Sequence, residues 1–168
     1  VAFSLVLFVR VSLAADFGAM VGTVSTWQES LRLIQMFGAI GLVVLGVSQR
    51  FLPAVFGFRD PGEKLFTRML WVINAGILIA AIAFPLSMAS KREMLPGGLT
   101  GAARGAYGLG MLLVVGGYIV LVGSFAAWRK ARLADRSIKF IRAAHAWLGV
   151  AILLMLFEPV YIGVVQET

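Results

Sequence analysis

The chain contains a single histidine, His145, and no cysteine, so its metal chemistry is narrowly bounded. An imidazole can serve as an axial haem ligand or as a proton relay inside a membrane. A closed bis-histidine haem needs a second ligand that this sequence lacks, and thiolate sites are excluded altogether. Two interpretations of His145 follow: a haem-ligating or proton-relay group, or an interfacial histidine hydrogen-bonded to a neighbouring helix or to water. The missing second ligand makes us favour the latter.

Gln49 and Arg50 end a long uncharged stretch that begins at residue 33. A guanidinium in this position either extends along the helix to a lipid phosphate or holds a carboxylate through a bidentate contact. A haem propionate or a partner's carboxylate would be such a ligand. Gln49 and Arg50 are therefore candidate cofactor-binding residues alongside His145.

Three further polar residues interrupt apolar segments. Glu158 follows His145 by thirteen residues, about 20 Å along a helix, so the two cannot form one site. Glu158 either faces a partner or water, or already lies at the outer interface. Asn74 is expected to hydrogen-bond to a facing helix. Arg10 is either paired inside the bundle or close to the membrane edge.

No nucleotide-binding or nucleophile motif accompanies these residues. The chain therefore has no self-sufficient catalytic site, and the sequence favours a protein that is not an enzyme.

The elements that position these residues are apolar helices. Of the 168 residues, 60% are hydrophobic and 14% are charged, against about a quarter charged in soluble domains. This composition predicts an all-α integral membrane bundle, a single domain over residues 1–168, with four long spans and a shorter fifth at the N-terminus. The N-terminal segment could instead be a signal peptide, but Arg10 interrupts its apolar core. The predicted spans cover about 1–15, 31–50, 67–90, 105–128 and 143–165.

Glycines recur at helical spacing in two of these spans. Each set predicts a seam at which another helix, or a flat pigment such as haem, can approach closely. We expect at least one seam to contact another chain. The two sets are Gly38, Gly41 and Gly46 in the second span, and Gly116, Gly117 and Gly123 in the fourth.

The net charge of +7 is better explained by membrane orientation than by nucleic-acid binding. The predicted loops 49–68 and 129–142 carry ten Lys and Arg residues, whereas the loops 16–32 and 91–104 carry four. The positive-inside rule then places the first pair in the cytoplasm and, with five spans, the C-terminus outside. The predicted location is the bacterial inner membrane.

Two stretches together resemble a known family. Residues 41–58, GLVVLGVSQRFLPAVFGF, resemble a pattern of the NnrS group, in which a glycine-rich helix ends in a polar-Arg-aliphatic-Leu-Pro segment. Residues 142–161, RAAHAWLGVAILLMLFEPVY, are similar to a later helix of that group. NnrS proteins are membrane proteins linked to the nitric-oxide response and distantly similar to haem-copper oxidase subunits. The resemblance implies a shortened, divergent relative.

These observations favour a small accessory subunit of a larger redox or energy-converting membrane complex, with lipid and other membrane subunits as partners. The alternative is a haem-binding or nitric-oxide-response protein that acts through His145. A small transporter is disfavoured because no internal repeat and no paired intramembrane charges are present.

Overall fold

The computed structural model describes residues 8–9, 16–91, 97–126 and 137–167, and every regular element in these ranges is helical. The predicted all-α class is thereby confirmed. The elements are α1 (Phe17–Leu33), a π-helical segment (Ile34–Gly41), α2 (Leu42–Phe56), α3 (Glu63–Lys91), α4 (Gly97–Ser124) and α5 (Ser137–Glu167).

Three helices in the described ranges are long and apolar enough to cross a membrane. They cover Met20–Phe56, with 37 residues, and Glu63–Met88 and Leu99–Ser124, with 26 residues each. The predicted first span lies outside the described residues except for Phe8 and Val9, and the predicted last span falls on α5. A count of four or five spans therefore stays a prediction.

The prediction of a polar connection at 16–32 is wrong, because helix α1 occupies Phe17–Leu33 and continues through the π-helical segment into α2. The polar side chains are accommodated by local hydrogen bonds. Ser25 Oγ and Thr26 Oγ1 donate to the Gly22 carbonyl at 3.1 and 2.7 Å. Hydroxyl groups that bond back to the preceding turn are compatible with a continuing helix.

The predicted loops are also too long, because the helices extend beyond the uncharged stretches. α3 begins at Glu63, α4 at Gly97 and α5 at Ser137. Lys, Arg and Glu are good helix formers, so a charged residue ends the apolar stretch without ending the helix. The connection between α2 and α3 is therefore only residues 57–62.

That connection is a tight turn with two left-handed glycines. Gly57, at φ 65°, ends α2, and its amide donates to the Pro53 carbonyl at 3.1 Å. Gly62, at φ 79°, donates its amide to Asp60 Oδ1 at 2.8 Å just before α3 begins. Glycine adopts this backbone region without the steric cost that a β-carbon brings.

Backbone contacts divide the chain into two compact units. The first comprises residues 1–41 and 75–111, and the second comprises residues 42–74 and 112–168. In the first unit the buried residues include Leu33 and Ala80; in the second they include Ile73, Tyr118 and Leu121.

In the first unit, α1 and α3 are joined by a buried hydrogen bond at a proline. Pro85 lies inside α3 and has no N–H to donate to the Ala81 carbonyl, four residues earlier. Ser30 Oγ of α1 donates to that carbonyl at 2.8 Å, and Ser30 is 1% exposed. The hydroxyl thus replaces the hydrogen bond that the proline removes, a usual means of accommodating proline in a membrane helix.

The first unit also contains a close backbone approach between α3 and α4. A β-carbon at Gly110 would lie 2.7 Å from Ala80 N and 2.8 Å from Gly76 O. The main chains therefore meet at a distance that only glycine allows, as in small-residue packing between membrane helices.

Within the second unit, Gly117 of α4 makes a similar contact with α3. A β-carbon at this position would lie 2.5 Å from Ile73 Cγ1 and 3.6 Å from the Met69 carbonyl oxygen. Gly117 therefore packs inside this chain and is not available to a partner.

Candidate functional site

An open cleft of about 770 Å³ lies within the second unit where α2 ends and α3 begins. Arg50 is exposed, and Gln49 is half-buried. The apolar side chain of Phe66 is 5% exposed at the cleft. The lining residues are Gln49, Arg50, Pro53, Ala54, Asp60, Glu63, Phe66 and Thr67. The two predicted cofactor-binding residues Gln49 and Arg50 therefore share one site, and His145 is not among the residues that line it.

The charges of the cleft are not neutralised inside the described parts of the chain. Arg50 and Glu63 form no ion pair or side-chain hydrogen bond with another described residue. Asp60 accepts one hydrogen bond, from the Gly62 amide to Oδ1, so Oδ2 remains for a ligand. The cleft thus offers one cation and two carboxylates, with an amide and a hydroxyl from Gln49 and Thr67.

A proline, Pro53, is among the residues that line this cleft. Pro53 lies inside α2 and has no N–H for the Gln49 carbonyl, four residues earlier. The carbonyl of a residue that lines the cleft therefore lacks its usual intrahelical donor.

His145 lies two turns into α5. Its Nδ1 is 2.9 Å from the Ile141 carbonyl oxygen, and its ring packs edge-to-face with Phe125 at 6.5 Å between centroids. A hydrogen bond to a carbonyl requires the proton on Nδ1, so Nε2 of the neutral ring keeps its lone pair. The partner is a carbonyl of the same helix and not of a neighbouring one.

The other predicted polar residues have different outcomes. The prediction that Asn74 bonds a facing helix is wrong: its Nδ2 donates to the Leu70 carbonyl of its own helix at 2.8 Å, and its side chain is exposed. Arg10 lies outside the described residues. The backbone at Glu158 is helical and α5 continues beyond it to Glu167, but the Glu158 side chain lies outside the described part of the structure.

The glycines of the two predicted seams have different surroundings in the structure. Gly117 packs against α3, whereas a β-carbon at Gly116, Gly123 or Gly46 would meet no atom within 4 Å. A β-carbon at Gly38, in the first unit, would be at ordinary contact distance, 4.0 Å from Ile77 Cδ1. Gly41 is the last residue of the π-helical segment.

Sequence reasoning missed the acidic half of the cleft. Asp60 and Glu63 flank a Pro-Gly pair between two apolar stretches, and they follow Arg50 within thirteen residues. Opposite charges on both sides of a short turn are the signal that could have revealed them, since a turn brings the two helix ends together. No group of three His, Asp or Glu residues that could hold a metal ion occurs within the ranges that the structure describes.

The described residues define a class of protein: a helical chain in which three of the described helices have membrane-spanning length and a polar cleft lies at the turn between α2 and α3. No protein-family model, curated protein or solved structure matches this chain. The resemblance to the NnrS group consequently stays a prediction from residues 41–58 and 142–161.

Proposed function

We propose that this chain is an accessory, non-catalytic helical subunit of a larger membrane complex. The observation that carries the proposal is the outward side of α4 in the second unit. Gly116 and Gly123 lie there with open space where a β-carbon would be. Leu112 and Ile119, at helical spacing with them, are 62% and 51% exposed. We name this surface, Leu112, Gly116, Ile119 and Gly123, the outer α4 face.

Lipid contact alone gives no reason for glycines on this face. A glycine in a helix interior costs about 1 kcal/mol relative to alanine. Close approach of another helix is the usual compensation in a membrane. On the opposite side of α4, Gly117 already shows this packing against Ile73. A helix from another chain would supply the corresponding contact at the outer α4 face.

Gly116→Leu and Gly123→Leu are expected to weaken association with partner subunits while the fold is retained. Both side chains would enter open space in this chain, but they would block a helix that approaches the outer α4 face. The measurement is the set of proteins that co-purify from the native membrane in mild detergent, together with the helical content and melting temperature of each variant. We expect the recovered amount of at least one partner to fall about tenfold or more. A tenfold loss of affinity corresponds to about 1.4 kcal/mol in binding free energy.

Ala151→Leu provides the control. Ala151 is an exposed residue of α5 in the same unit and is not a glycine, so the argument for a partner contact does not apply to it. The proposal requires this variant to keep its partners. Full recovery of every partner with Gly116→Leu and Gly123→Leu would contradict it.

Haem binding through His145 is the second candidate function. It is supported by the hydrogen bond between Nδ1 and the Ile141 carbonyl, since this bond orients the ring and leaves Nε2 with a free lone pair. On this alternative, the protein purified from haem-supplied cells has a Soret band that His145→Ala removes and Asn74→Ala preserves. A spectrum without a Soret band would reject this alternative.

The nature of the complex and the orientation of the chain remain part of the proposal. A redox or energy-converting complex is supported by the NnrS resemblance. A cytoplasmic side for the basic segments 49–68 and 129–142, and an external C-terminus, are supported by the charge count of the sequence. A bacterial inner membrane is part of the same proposal.

A further inference from the structure

We infer that the cleft at the α2–α3 turn binds the headgroup of a membrane lipid that carries both a phosphate and a primary ammonium, the phosphoethanolamine unit of an aminophospholipid. The inference concerns the site of Gln49, Arg50, Asp60, Glu63 and Thr67. It is independent of the partner surface proposed above, which lies on α4.

The cleft has the right position for a lipid headgroup. The apolar span of α3 begins at Glu63, and the apolar span that includes α2 ends at Phe56. The turn between these residues therefore lies at the polar end of both helices. On α2, Phe51 and Val55 each follow a lining residue in the sequence and are 50% and 39% exposed. They provide an apolar surface for acyl chains below a headgroup held at the turn.

Arg50 is the phosphate-binding group of the site. Its guanidinium has no acidic partner among the described residues. A planar guanidinium donates two parallel hydrogen bonds to a phosphate, so this contact adds geometric selectivity to the charge attraction. The side chain lies on the last turns of α2, where an arginine reaches the level of lipid phosphates.

The acceptors of the cleft suit a primary ammonium. Glu63 has no partner among the described residues, and Asp60 keeps Oδ2. An ammonium group has three N–H donors and no acceptor, so it can be shared among these oxygens. Thr67, one turn beyond Glu63, adds a hydroxyl acceptor to the same cleft.

The balance of charges distinguishes the headgroup from other lipids. One cation and two carboxylates line the cleft, so a headgroup that carries only negative charge would meet repulsion from Asp60 and Glu63. A choline headgroup has the same net charge as ethanolamine but no N–H to donate to these oxygens. Phosphate and primary ammonium together satisfy both halves of the site.

The test is native mass spectrometry of the full chain released from nanodiscs that contain equal amounts of phosphatidylethanolamine, phosphatidylcholine and phosphatidylglycerol. We expect ethanolamine lipid to be enriched about fivefold over each of the others, the size of a few partly exposed charged contacts. Glu63→Gln should abolish the discrimination between ethanolamine and choline. Arg50→Gln should reduce the retention of both lipids.

Arg68→Gln is the matched control, because Arg68 is an exposed cation of α3 that does not line the cleft. This variant should retain the lipid preference of the native chain, and unchanged helical content verifies the fold of each variant.

Equal retention of the three lipids, or enrichment of phosphatidylglycerol, would overturn the inference. Displacement of bound lipid by soluble phosphoethanolamine at the same concentration would overturn the membrane lipid as the source. The inference would also be overturned if a partner protein, and not a lipid, occupied the cleft.

Discussion

Replacement of Gly110 by alanine is expected to destabilise the folded protein by about 2 kcal/mol. The new β-carbon would lie 2.7 Å from Ala80 N and 2.8 Å from Gly76 O, both of which are backbone atoms that cannot rotate away. Overpacking of this kind costs about 1–3 kcal/mol or more, and the better helix propensity of alanine offsets up to about 1 kcal/mol. The measurement is unfolding in mixed micelles of increasing denaturing detergent, followed by far-UV circular dichroism.

The control is Gly108→Ala, two residues away on the same helix. A β-carbon at Gly108 meets nothing within 4 Å, so only the propensity gain remains. This variant should be as stable as the native chain or more stable by up to about 1 kcal/mol. If the two variants unfold together, α3 and α4 do not approach each other at Gly110 as the structure has them.

Ser30→Ala is expected to destabilise the protein by about 1–3 kcal/mol, the cost of a buried polar group without its partner. The polar group is the Ala81 carbonyl, which accepts a hydrogen bond from Ser30 Oγ at 2.8 Å. Pro85 cannot donate to this carbonyl because proline has no N–H. Pro85→Ala restores an N–H at the correct position in α3. In the Ser30→Ala background, Pro85→Ala should therefore recover most of the loss.

A double-mutant cycle measures this coupling. We expect the effects of Ser30→Ala and Pro85→Ala to be non-additive by about 1–2 kcal/mol, as for residues in one hydrogen-bond network. Ser25→Ala is the control, since its exposed hydroxyl bonds only to the Gly22 carbonyl of its own helix, and it should change stability by less than about 0.5 kcal/mol. Strict additivity in the cycle would show that the serine does not substitute for the missing proline hydrogen bond.

The two predictions concern the same physical constraint. In an apolar medium a backbone carbonyl without a donor is expensive, and close helix contact is a main source of attraction between helices. In the first unit, Ser30 supplies the missing donor and Gly110 permits the contact. The association that we propose for the outer α4 face would use the same kind of close helix contact.

The sequence by itself determined the helical class of this protein and its membrane-compatible character. A 60% hydrophobic composition with long uncharged stretches favours helices in an apolar medium, because each helix satisfies its own backbone hydrogen bonds. The sequence did not determine where the helices begin and end. At 16–32 polar residues suggested a connection, yet Ser25 and Thr26 bond back to Gly22 and the helix continues.

Glycine content likewise predicted close helix packing but not its direction. Gly116 and Gly117 are neighbours in the chain, and a helix turns about 100° per residue. One therefore faces Ile73 while the other faces outward, a division that depends on which neighbour packs against α4. Spacing within one helix contains no information about that neighbour.

For the cleft, too, the sequence identified only some of the residues of the site. The end of the apolar stretch identified Gln49 and Arg50 as candidates, because a cation after an uncharged helix is visible in the sequence. Asp60 and Glu63 join them only because the left-handed Gly57 and Gly62 fold residues 57–62 into a tight turn. The residue types at the site can therefore be identified from the local sequence. Only the tertiary structure decided that one cation and two carboxylates line the same cleft.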